Sequence, residues 1–182
     1  MRTTVSLFAG TLATVLVAMS ASAQTTQTGT GGGGSPHVKS ESRIGGAHIV
    51  LEYGRPSLKG RAEATMMPLG KPWRTGADAA TVLTTDKPMT FGAVTLAPGS
   101  YTINTQPGEK EWQLLVGKLS KVGQWGVPYV TSLEIGRTPM KLGKTSAPVE
   151  QVTYSIDTTS TGGTLRIEWG TQSASVPFTV GK

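Results

Sequence analysis

One short stretch of this chain holds Arg55, Lys59, Arg61, Lys71 and Arg74, set among Gly54, Gly60 and Gly76 and opposed by a single acid, Glu63. A planar guanidinium makes paired hydrogen bonds that an ammonium cannot, so Arg55, Arg61 and Arg74 together suit a carboxylate, phosphate or sulfate. Trp73 stands directly before Arg74, and Asp78 closes the group. The candidate ligand-binding set is therefore Arg55, Lys59, Arg61, Trp73, Arg74 and Asp78, for an anionic small molecule or a glycan. The competing reading is architectural: the arginines pair with Glu52, Asp78 or Glu168 and satisfy loop carbonyls, while the glycines serve backbone geometry.

Other chemistries find less in the sequence. The chain has no cysteine, which excludes disulfides, thiolate nucleophiles and zinc–thiolate sites. Its two histidines, His37 and His48, lack the paired spacing of a metal site, and neither accompanies a G-x-S-x-G elbow. No metal, no cofactor and no catalytic signature is expected. Glu52, Asp78, Glu111 and Glu168 are the acids from which a glycoside-cleaving pair would have to come, so the alternative to a binding domain is a hydrolase using carboxylates near the same arginines. A purely structural or partner-binding domain is the third reading. Of the four tryptophans, Trp112 and Trp169 sit in alternating segments that read as core, and Trp73 and Trp125 are the candidates for an exposed platform. The net charge of +6 comes without a Lys/Arg run or an RNA-recognition consensus, so nucleic acid is not an expected partner.

The elements that must position these residues are short and β-like. Arg2, the apolar run that follows and Ala21-Ser22-Ala23 read as a signal peptide over residues 1–23. The expected location is therefore periplasmic or secreted, with no membrane span after cleavage. Residues 24–36, rich in Gly, Thr and Gln, read as a flexible tether. Residues 37–182 read as a single β domain, long enough to bury about 70% of its unfolded surface. Candidate strands are 48–53, 80–85, 89–96, 100–105, 111–117, 149–157, 164–169 and 174–180, and residues 59–67 offer one or two helical turns. Alternation is clearest in Val152-Thr153-Tyr154-Ser155-Ile156 and Leu165-Arg166-Ile167-Glu168-Trp169. Ala97-Pro98-Gly99, Gln106-Pro107-Gly108-Glu109 and Gly162-Gly163 are expected hairpin turns. The expected fold class is all-β, an antiparallel β-sandwich or jelly-roll-like arrangement.

The segments Tyr53-Gly54-Arg55-Pro56, Leu58-Lys59-Gly60-Arg61, Trp73-Arg74-Thr75-Gly76-Ala77, Ala97-Pro98-Gly99-Ser100-Tyr101, Pro107-Gly108-Glu109-Lys110-Glu111-Trp112, Gly123-Gln124-Trp125-Gly126 and Glu168-Trp169 follow one another in an order that resembles the bacterial family catalogued as domain of unknown function 2911. The resemblance covers nearly the whole chain after the signal peptide. It implies an exported, β-rich bacterial domain and carries no catalytic residue with it. Two departures stand out. Ala62-Glu63-Ala64-Thr65-Met66-Met67 replaces an Ile-Phe-Gly-Gly-like stretch, and Asp78 replaces a common asparagine, placing an acid beside the arginines.

Overall fold

The computed structural model describes residues 23–121 and 129–182. The expected signal peptide lies, except for Ala23, outside the described residues, as do Trp125 and the segment around it. The chain is all-β: among the described residues ten strands form one antiparallel sheet in the order β1-β2-β3-β4-β7-β8-β9-β10-β5-β6. The strands are β1 (Gln24–Thr30), β2 (Pro36–Ile44), β3 (Ala47–Gly54), β4 (Thr81–Thr85), β5 (Met89–Phe91), β6 (Val94–Leu96), β7 (Gly99–Gln106), β8 (Trp112–Lys118), β9 (Glu134–Thr158) and β10 (Gly162–Val180). The only α-helix among the described residues is the single turn α1 (Glu63–Met66).

The 25-residue strand β9 belongs to both halves of the sheet. Its first residues, up to Met140, pair with β8, and from Lys141 onward it pairs with β10. The two halves face each other across one core. Tyr53 of β3 meets Tyr154 of β9 edge-on at 4.6 Å, and Ile49, Leu83, Leu114, Leu165 and Ile167 are each at most 1% exposed. Period-two patterning drives this: β4 alternates buried and half-buried residues, and in β10 Leu165, Ile167 and Trp169 turn inward.

Several elements differ from the reading of the sequence. Within the stretch read as a tether, Gln24–Thr30 forms edge strand β1, paired with β2 although every side chain is exposed. Main-chain hydrogen bonds along an open edge need no apolar side chain. Segment 89–96 is two strands joined at Gly92, whose φ of 54° makes the turn. Ala97-Pro98-Gly99 is a crossover and no hairpin: β6 pairs with β5, whereas β7 pairs with β4 and β8. Segments 164–169 and 174–180 are one strand, irregular in register near Gly170. Strand β2 gave little signal because two of its inward positions, Ser40 and Ser42, are polar.

Candidate functional site

The arginine–glycine stretch begins where β3 ends, and the backbone there is packed against the loop before β4. A Cβ at Gly54 would lie 2.3 Å from the carbonyl oxygen of Ala77, so this close approach requires glycine. Beside it Thr75 is buried and holds φ 52°, a left-handed conformation unusual for a β-branched residue. A buried hydroxyl network over-determines it. Thr75 and Thr105 share a hydrogen bond of 2.7 Å between their Oγ1 atoms, Tyr154 donates to the Thr75 carbonyl at 2.9 Å, and the Tyr154 N–H donates to the Tyr53 hydroxyl at 3.1 Å. Trp73 exchanges main-chain hydrogen bonds with Thr105, at 2.7 and 2.8 Å.

Burial pushes the hydroxyls of Tyr53 and Tyr154 above the ordinary tyrosine range. Both groups are protonated in either state below the unfolded value of about 10, so their contribution to stability is complete there. Above that pH the unfolded chain ionises first and stability falls. Denaturant melts near pH 9 and near pH 11 should show this loss, and Tyr154→Phe should make the decline shallower.

The candidate residues divide by where their polar atoms go. Arg55 crosses to β9, donating from Nε to the Val152 carbonyl at 3.1 Å and from Nη2 to Thr153 Oγ1 at 2.8 Å. Arg74 donates from Nη1 to the main-chain oxygen of Asp78 at 2.8 Å. Asp78, itself at φ 60°, turns its carboxylate to His37 Nε2 at 3.1 Å. Trp73 stacks on Trp169 with centroids 5.6 Å apart and meets Trp112 edge-on at 6.1 Å. Lys59 is exposed at φ 50°, and its N–H donates to Glu150 Oε1 at 2.7 Å. Arg61 donates from Nε to the Leu58 carbonyl at 2.9 Å and from Nη2 to that of Ser57 at 2.6 Å. The fold thus gathers Trp73, Arg74 and Asp78 in one loop, while the three guanidinium groups reach three different segments.

Of the six candidates, Arg61 alone lines the main groove, a depression of about 640 Å³. Leu58, Met67, Leu69, Pro107, Trp112 and Leu142 give it an apolar lining, with Glu63, Glu109 and Gln172 as further polar groups. Glu63 is committed, since Oε1 accepts the Thr171 N–H at 2.5 Å and Oε2 its hydroxyl at 3.3 Å. This groove was not foreseen from the sequence, because its walls come from separated segments. Leu69, 58% exposed between Pro68 and Gly70, is the one local sign. His48 is occupied by Glu41 at 2.8 Å, and among the described residues no three His, Asp or Glu side chains are grouped to hold a metal ion.

Compared with known proteins, residues 35–178 match the family described as protein of unknown function (DUF2911). No curated protein and no solved structure matches the chain.

Proposed function

The chain belongs to the DUF2911 family, and from its groove we propose that it is an exported binding domain for an amphipathic anion. The observation that carries this reading is Arg61 on the wall of a mainly apolar depression, in which it is the one cation beside Glu63 and Glu109. Two of its nitrogens are fixed by the Leu58 and Ser57 carbonyls, which pre-orients the fork and leaves Nη1 for a ligand acid. Arg55, Trp73, Arg74 and Asp78 serve this site indirectly by holding the loop that carries its wall, and Lys59 adds positive potential nearby. An apolar body is favoured over a glycan, since Trp112 is buried and Trp73 is stacked on Trp169, so neither offers a free flat face. Binding is favoured over hydrolysis because both oxygens of Glu63 already accept hydrogen bonds from Thr171.

Dodecanoate and dodecanol separate the charged from the apolar contribution. Dodecanoate should raise the melting temperature, as any ligand bound only by the folded state does. Arg61→Ala should weaken dodecanoate about tenfold, the loss of roughly one charge-assisted hydrogen bond, and leave dodecanol unchanged. Isothermal titration calorimetry reads both. Failure of either compound to bind the unaltered protein would refute the reading.

A further inference from the structure

We propose that the groove takes its ligand as an added β-strand: an extended, acidic polypeptide segment that pairs with the open edge of β9 over residues 141–149. This rests on the reading of the groove as a ligand site. One edge of β9 is covered by β8 as far as Met140, and is covered again where Leu58 N donates to the Glu150 carbonyl and Val152 N to that of Pro56. Between those points β9 pairs with β10 on its other side, Lys141 opposite Ser175 and Lys144 opposite Gln172. Among the described residues no main-chain partner occupies the intervening edge. The main groove lies at this interruption: Trp112 stands at one end, Leu58 at the other, and Leu142 of β9 between them.

An interruption of this length accommodates a strand of ordinary size, about five or six residues at roughly 3.3 Å each. Strand addition supplies main-chain hydrogen bonds for affinity and pockets for alternate side chains for selectivity. Apolar side chains of the added strand would enter toward Met67, Leu69 and Leu142. Exposed Lys144, two residues from Leu142 in an unbroken register, shares its face and exposed Lys141 points to the other, so each face of the added strand would meet one lysine; Lys110 and Glu111 line the neighbouring depression that contains Lys141 and Leu142. Lys141 and Lys144 are the only charged side chains of residues 141–149 and favour an acidic segment along this edge, while Glu63 and Glu109 line the groove itself. The two lysines disfavour a second copy of the same edge, which would bring lysine against lysine, and with Pro148 they are devices that keep an open edge from pairing indiscriminately.

The test uses a capped peptide of alternating glutamate and valine about eight residues long, and the same peptide N-methylated at alternate amides, which removes main-chain donors and keeps the side chains. Fluorescence anisotropy should show the plain peptide binding and the methylated one weakened about tenfold or more. The double variant Lys141→Glu, Lys144→Glu, at two exposed positions, should weaken the plain peptide by a similar factor. Amide exchange over residues 142–147 should slow on binding. Equal binding of both peptides, or dodecanoate binding without any peptide binding, would overturn strand addition while leaving the groove a ligand site. If neither dodecanoate nor peptide binds, both readings fall.

Discussion

Trp169→Ala is expected to lower stability by about 3 to 5 kcal/mol, the range for emptying a buried aromatic site. The ring is 2% exposed and stacks on Trp73, so its removal opens a cavity and strips one face of the tryptophan that heads the arginine loop. Its Nε1 also donates to the Glu150 carbonyl at 3.0 Å, in the residue whose side chain accepts the Lys59 N–H. Trp169→Phe restores much of the volume without that donor. It should cost distinctly less than alanine, leaving about 1 kcal/mol attributable to the lost hydrogen bond. Urea titrations of the two variants measure the difference, and an unchanged midpoint for Trp169→Ala would contradict the packing described.

Gly54→Ala should be nearly as damaging, by the opposite route. The added Cβ would stand 2.3 Å from the Ala77 oxygen and 3.0 Å from its carbonyl carbon. Both belong to main chain, which cannot rotate away as a side chain would. The Ala77 backbone is in turn fixed between the Thr75 hydroxyl network and β4. Overpacking of this kind costs about 3 kcal/mol, the upper part of its usual range. Gly60→Ala is the control. Gly60 has φ 73° but nothing within 4 Å of a Cβ, so it should pay only the left-handed backbone penalty of about 1 to 2 kcal/mol. If the two substitutions cost the same, the contact with Ala77 does not constrain the fold.

These glycines mark how far the sequence could be read. Gly54, Gly60 and Gly76 stand out by position, but only the structure distinguishes a close approach at Gly54 from an open turn at Gly60. Strands with an apolar residue at every second position, such as the part of β9 from Val152 to Ile156, were legible because burial on one face leaves that trace. The front of β9 was not. It contains Gly136, Pro139, Gly143 and Pro148, and most of its side chains stay exposed, so the alternation that identifies a strand is missing. The arginine cluster was visible as composition, yet the atoms it would meet were not. Sequence offered the Asp78 carboxylate to Arg74, whereas the fold gives that carboxylate to His37 and presents the Asp78 main-chain oxygen to Arg74. Backbone acceptors exist at every residue and leave no signature in side-chain type.

The bonds that anchor the arginine motif to β9 join residues far apart along the chain: Arg55 to Val152 spans 97 positions and Tyr53 to Tyr154 spans 101. Closing such distances costs chain entropy before any contact repays it, and folding slows as the mean separation of contacting residues grows. A nascent chain that has reached Asp78 therefore holds the whole motif and its local bonds, among them Asp78 to His37 and Arg61 to Leu58, but none of its anchors on β9. Thr75 and Trp73 gain Thr105 once β7 is made, and only with β9 does Tyr154 close on the Thr75 carbonyl and Arg55 reach Val152 and Thr153. The motif is thus a product of late assembly, and its completion reports that the far end of the chain has arrived.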